Sequence, residues 1–170
     1  MKSTRKQLTL FFEEESDSIE KIREMFNPEQ HKIIRSHITL CREDEIEEIE
    51  TILYNLENLK TEYFELELSG LKRFSEGKGV LITIIDTKNY FKNLRGLILK
   101  NTASEPREHK PHITLMHPRN STCNDLIFEE IRKSEFPKKI NITRITLIEQ
   151  KIGEVWNVLN EYKLNNKKKS

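Results

Sequence analysis

The chain has 170 residues, 35% of them hydrophobic and 34% charged, and a formal net charge of +1. This is long enough for one domain with a sizeable core, and the near-neutral balance excludes an overall electrostatic grip on duplex nucleic acid while leaving room for a local basic cleft. Two cysteines, Cys41 and Cys123, make neither a disulfide framework nor a zinc site, and no apolar run approaches the ~20 residues that span a bilayer.

In chain order, residues 6–12 (KQLTLFF) predict a strand with Leu8, Leu10 and Phe12 on one face. Asp17–Phe26 predicts a helix: Ile19, Ile22 and Phe26 form its stripe, and Asp17 with Glu20 suggests a capping box. A strand over 33–40 (IIRSHITL) precedes a helix over 43–59, where Ile46, Ile49, Ile52, Leu53 and Leu56 recur at helical spacing. Residues 62–70 alternate as a half-buried strand ending at Gly70, and Gly79–Ile85 forms the next. A helix over 87–100 carries Tyr90, Leu94, Leu97 and Ile98; a strand follows over 110–117, then a helix over 124–136 stopping before Pro137. Residues 140–164 close the domain as two strands around a turn at Gly153. The mixture reads as an α+β domain with mostly antiparallel sheets, residues 1–164, and a polar basic tail, 165–170.

The chemistry is carried by a repeat. SHITL at 36–40 returns as PHITL at 111–115, which places two of the five histidines in one frame, His37 and His112, 75 positions apart. Because side chains alternate along a strand, His37 and Thr39 share a face, as do His112 and Thr114, while the aliphatics between them anchor the core. A single His-x-Thr strand is ordinarily a satisfied half-buried pair. Two copies on neighbouring strands bring together two imidazoles and two hydroxyls, a set suited to phosphoryl chemistry: imidazole takes or gives a proton near neutral pH, and threonine donates to phosphate oxygens.

Two His-x-Thr-x motifs at this separation, here HITL twice, resemble the 2H phosphoesterase superfamily, in particular its 2′-5′ RNA ligase or RNA 2′,3′-cyclic phosphodiesterase branch. The central stretch FELELSGLKRFSEGKGVLITII and the closing ITRITLIEQKIGEVWNVLNEYKL are similar to that family's pattern as well. The resemblance implies a bilobal fold of two pseudo-symmetric lobes, whose sheets line a central cleft with helices outside. It implies hydrolysis, without a metal or other cofactor, of a 2′,3′-cyclic phosphate or 2′-5′ phosphodiester at an RNA or nucleotide terminus. His37 and His112 would be acid and base, with His112 favoured to activate water and His37 to protonate the leaving oxygen. Thr39 and Thr114 would hold phosphoryl oxygens. Ser36 departs from the proline that many members carry before the first histidine; Pro111 keeps it.

Other candidates carry less. Arg35 has the parity of His37, and Arg119 follows the second motif; either could face a phosphate. Phe11, opposite the apolar face of its strand, could stack a base, whereas Phe74, Tyr90 and Trp156 read as packing residues. His109, His112 and His117 have the spacing of metal ligands, but on one strand His109 and His112 would point to opposite faces, so no metal is expected. His31 reads as a surface residue, and Lys167–Lys169 as a solvated run. A non-catalytic RNA-binding module, or a hydrolase of a small cyclic phosphate such as an ADP-ribose derivative, is the alternative. The N-terminus makes a poor signal peptide, so a cytoplasmic monomer that avoids membranes is the expectation.

Overall fold

The computed structural model describes residues 3–12, 15–103, 105 and 107–166; the lysine run at 167–169 lies outside them. The elements, in chain order, are β1 (Thr4–Phe11), α1 (Asp17–Phe26), α2 (Pro28–Ile33), β2 (His37–Cys41), α3 (Ile49–Glu57), β3 (Phe64–Phe74), β4 (Gly79–Ile85), α4 (Tyr90–Ile98), β5 (His112–Met116), α5 (Asp125–Arg132), β6 (Lys139–Ile142), β7 (Arg144–Lys151) and β8 (Asn157–Lys163). The strands form one eight-stranded sheet in the order β6-β3-β4-β5-β2-β1-β7-β8, with every neighbouring pair antiparallel. The order is symmetric about the β5–β2 junction: β1, β2, β7 and β8 of one lobe correspond to β4, β5, β3 and β6 of the other. The two expected sheets are thus joined into one through the motif strands.

The joint is physically specified. Ile38 pairs with Ile113, and both are wholly buried among the aliphatics of one core cluster. Ile19 and Ile22 of α1, Ile52 and Leu56 of α3, Phe91, Leu94 and Ile98 of α4, and Ile131 of α5 belong to the same cluster. Four helices therefore pack on one face of the sheet, while His37 and His112 lie on the other, beside a second small cluster of Phe11, Ile34 and Ile148. Each of these side chains contributes roughly 1.5–3 kcal/mol on burial. Trimming Ile113 to alanine would cost about 2–5 kcal/mol and loosen the strand junction with it.

Several elements differ from expectation for identifiable reasons. The capping box does not form: Ser16 precedes α1 without a side-chain cap, and the Glu20 carboxylate accepts from the Ser36 N–H instead. β3 continues through Gly70 to Phe74 because a bulge between Leu68 and Gly70 lets it follow the twisting β4. The helix expected from residue 43 opens as a 3₁₀ turn over Glu43–Glu45, with α3 starting at Ile49, since Glu45 is drawn inward to Arg95. Leu97, assigned to the apolar stripe of α4, is exposed. The closing stretch holds three strands, not two: β6 pairs with β3, while β7 pairs with β1 and β8. Asn165, assigned to the tail, exchanges backbone hydrogen bonds with Thr61 and Tyr63. No helix among the described residues is long and apolar enough to cross a membrane.

Candidate active site

The antiparallel register Ile38↔Ile113 sets His37 opposite Thr114 and Thr39 opposite His112. The four side chains form a square on the face opposite the helices, with histidines on one diagonal and threonines on the other. Diagonal neighbours in a sheet sit about 7–8 Å apart, the separation at which two side chains can reach one phosphate from opposite sides. Both motif strands show the same burial alternation, with half-buried His and Thr and buried aliphatics. Both also carry the same irregularity: Leu40 is the extra residue between the Thr9↔Thr39 and Leu8↔Cys41 pairs, and Leu115 the extra residue between Leu81↔Thr114 and Val80↔Met116. Twin bulges end the polar alternation at once and turn Leu40, Cys41, Leu115 and Met116 into the core.

The imidazoles are oriented alike. His37 Nδ1 donates to the Arg35 carbonyl at 2.8 Å and His112 Nδ1 to the Lys110 carbonyl at 3.0 Å, each two residues upstream. A carbonyl accepts only, so the proton rests on Nδ1 and each Nε2 is left to take or carry a second one. Thr39 Oγ1 accepts from Gln7 Nε2 at 3.1 Å, and the same amide donates to Thr9 at 2.8 Å. With its lone pair engaged, the Thr39 hydroxyl proton is aimed elsewhere, as a phosphate ligand requires. Ser36 makes chemical sense here: its N–H is bound by Glu20, and proline could not make that bond. Arg23 secures the same turn through the Ile34 carbonyl at 2.9 Å.

The environments of the two rings then diverge. Phe11 lies edge-on to His37 with centroids 6.1 Å apart, whereas the equivalent neighbour of His112 is Thr83. Burial lowers His37 to about 4; the Arg35 carbonyl opposes this, and the charges of Arg23 and His112 add to it. His109 is also lowered to about 4, first by burial, with the Thr39 carbonyl bond opposing. Its Nε2 donates to that carbonyl at 2.9 Å, and its ring stands edge-on to His112 with centroids 5.9 Å apart.

The profile of the 2′-5′ RNA ligase superfamily matches residues 11–154, which includes both motifs. The chain belongs to the 2′-5′ RNA ligase superfamily. Among solved structures it resembles Escherichia coli LigT complexed with 3′-AMP, at 17% identity and a TM-score of 0.68 over 96% of this chain and 99% of that one. A crystal structure of a phosphoesterase matches at 16% identity and TM-score 0.66, covering 95% and 99%. The Thermus thermophilus protein TT0787 matches at 17% and 0.61, covering 96% and 99%. At these identities the likeness establishes the shared fold. No curated protein matches the chain in sequence.

Within this superfamily member the remaining candidates fall into place unevenly. Arg35 stacks its guanidinium over the Phe11 ring at 4.5 Å, so the two form one step beside His37. Arg119 is an exposed turn residue whose N–H donates to His117 Nδ1 at 3.1 Å. Tyr90 packs against the core, as expected. Phe74 is corrected: it lies outside the core clusters, its ring covering the backbone of Gly79, where an added Cβ would come within 2.4 Å of the ring. His109 precedes β5 instead of lying on a strand, which is why it can sit beside His112 contrary to the parity argument. Among the described residues no three His, Cys, Asp or Glu side chains are grouped to hold a metal ion. His31, expected at the surface, pairs with Glu20 at 3.1 Å. Sequence reasoning missed Gln7, although the period-two pattern of β1 contains the signal: with Leu8 and Leu10 inward, Gln7, Thr9 and Phe11 must face the site.

Proposed function

We propose that this protein is a phosphodiesterase that hydrolyses a 2′,3′-cyclic phosphate, or a 2′-5′ phosphodiester, at an RNA or nucleotide terminus through its two histidines. The observation that supports this reading is the Ile38↔Ile113 pairing, whose register sets two similarly oriented imidazoles and two threonines on one face of the sheet. One imidazole takes a proton from water as its oxygen bonds to phosphorus. The other gives a proton to the ribose oxygen as that P–O bond breaks, leaving a phosphomonoester and a free hydroxyl. Thr39 and Thr114 donate to the equatorial oxygens, where negative charge accumulates. Both proton transfers are supplied by side chains, so the step needs no metal. That E. coli LigT has been crystallised with 3′-AMP, ATP and NADP+ supports a nucleotide as occupant of the corresponding cleft.

We assign the base to His37 and the acid to His112, the reverse of the order favoured from sequence. Burial against Phe11 keeps His37 neutral at physiological pH, which is the form a base requires. The test is a panel of 2′,3′-cyclic nucleotides, cyclic-phosphate-ended RNA, 2′-5′ oligoadenylate and a cyclic ADP-ribose phosphate, assayed with and without EDTA. Turnover that survives EDTA and falls about 10²–10⁴-fold in both His37→Ala and His112→Ala is expected. Binding of RNA with no turnover of any member would instead make the chain a recognition module.

A further inference from the structure

The cleft extends past the histidines. One cavity of about 430 Å³ is lined by Thr39 and His112 and also by Arg5, His117 and Trp156. The Arg5 guanidinium lies over the Trp156 ring, 5.0 Å from its centroid. That placement is built in from behind: Arg5 Nε donates at 2.7 Å to Gln150, which is itself buried and donates to the Glu154 carbonyl at 2.6 Å. The Trp156 backbone N–H donates to the Ile33 carbonyl at 3.0 Å, tying the β7–β8 loop to the chain that leads into β2. Trp156 packs against the same small apolar cluster as Phe11, which also holds Ile34 and Ile148. Two arginine-covered aromatic faces, Phe11–Arg35 and Trp156–Arg5, therefore lie along one wall.

Positive charge accompanies them. The cavity lining includes Arg5, Lys6 and Arg42 against Glu43 and Asp44. His117 Nδ1 accepts from the Arg119 backbone, so its ring proton sits on Nε2 as a donor. Burial, then the charges of Arg119 and Arg5, disfavour a charged His117; burial, then Arg119, weakens the hold of Arg5 on its proton. An anion placed among these groups would relieve that repulsion.

Resting on the phosphodiesterase reading, we propose that Arg5 and Trp156, with His117 and Arg119, form a second nucleotide subsite. The terminal nucleoside lies against the Arg35 guanidinium that covers Phe11, beside His37; the preceding base stacks at the Arg5–Trp156 pair, and its phosphodiester faces Arg5. The substrate is then the 3′ end of an RNA of two or more nucleotides rather than a free cyclic mononucleotide. Stacking on aromatic side chains together with a basic groove is how proteins hold single strands without reading their sequence.

Trp156 is the chain's single tryptophan, so its fluorescence reports the subsite directly. Titration of the whole protein with diadenylate ending in a 3′-phosphate is expected to quench it, with about tenfold tighter binding than 3′-AMP, the size of one base–aromatic stack. Equal quenching by 3′-AMP, or none by the dinucleotide, overturns the proposal. In turnover, the ratio of kcat/KM for cyclic-phosphate-ended dinucleotide over cyclic mononucleotide should be about ten, should collapse toward one in Arg5→Gln and Trp156→Ala, and should persist in Trp156→Phe, which keeps a stacking face. A ratio of one in the unaltered protein refutes the subsite and leaves the phosphodiesterase reading standing. Absence of turnover on every cyclic phosphate refutes that reading, and the fluorescence titration still decides the subsite.

Discussion

Replacing Phe11 by alanine should move the acid limb of the pH–rate profile, and the size of the move follows from the surroundings of His37. An imidazole shielded from water is held neutral because its charged form is poorly solvated, and Phe11 supplies one wall around the half-buried His37 with its ring 6.1 Å from the His37 centroid. With His37 at about 4, roughly nine-tenths of the molecules carry it neutral at pH 5. At the ordinary value of about 6.5 only about 3% would, a thirtyfold difference. Removing the ring admits water and raises His37 toward 6.5. With His37 as the proposed base, which must be unprotonated, the acid limb of kcat/KM should shift upward, and activity at pH 5 should fall by up to about thirtyfold relative to the variant's own optimum. The substitution empties a buried site and costs about 3–5 kcal/mol, so circular dichroism must show a folded variant; Phe11→Leu, which keeps most of the volume, should shift the limb less. The assay is initial rate on a 2′,3′-cyclic nucleotide from pH 4 to 9. An acid limb that stays put in a folded Phe11→Ala protein, or one already near 6.5 in the unaltered protein, would show that His37 is not the base.

Further expectations follow from the surrounding bonds. Gln7→Leu removes the amide that engages Thr39 Oγ1; kcat should fall by about fivefold to tenfold with KM nearly unchanged, the size of about 1 kcal/mol in the transition state, measured on the same substrate. Arg95 donates to the Leu40 carbonyl and to both oxygens of Glu45 from within the core, so Arg95→Met should cost about 3–5 kcal/mol in urea unfolding. Glu45 is held at about 2 against burial, chiefly by its hydrogen bonds from Arg95 and Arg42. Its contribution, about 3 kcal/mol, is therefore complete above pH 4.5 and lost as pH falls toward 2; unfolding free energies should decline over that window and decline less in Glu45→Gln. His109→Gln keeps a donor for the Thr39 carbonyl and should retain most activity, whereas His109→Leu should lower kcat while its thermal midpoint reports whether the fold survives.

How much of this was legible depended on whether the signal was local. The HITL repeat announced the candidate site because four identical letters carry strand parity and chemistry together, and the structure gives both copies one burial alternation and one bulge. The strand positions of β1 and β4 and the stripe of α1 were readable for the same reason. Boundaries failed where a distant partner decided them. The helix start at 43 yields to Glu45 reaching Arg95 fifty positions away, and β3 passes its glycine because β4 twists beside it. The expected capping box lost Glu20 to Ser36, whose N–H is available only because the residue is not proline. Trp156 is placed by a bond from its own backbone to Ile33, 123 positions earlier, which no local pattern encodes.

The symmetry itself explains placement but cannot explain roles. A perfect two-fold site would give both imidazoles the same affinity for a proton, and an acid and a base must differ. The chain supplies the difference just outside the repeated tetrapeptide. The partner of His37 across the strand is Phe11, and that of His112 is Thr83. Gln7 reaches Thr39 in the first lobe; its positional equivalent in the second is Gly79, whose missing side chain makes room for Phe74. The residues entering the motifs are Ser36, held by a carboxylate, and Pro111, which has no N–H to hold. Each departure biases the same half: the first lobe is packed, aromatic and desolvated around its histidine, and the second is more open. Exchanging the two flanking residues, Phe11→Thr together with Thr83→Phe, should therefore raise His37 while burying His112, and shift the acid limb upward as the single Phe11 variant does. If the double exchange instead leaves the profile unchanged, the roles are set by the substrate's own asymmetry and the neighbours of the histidines are only packing.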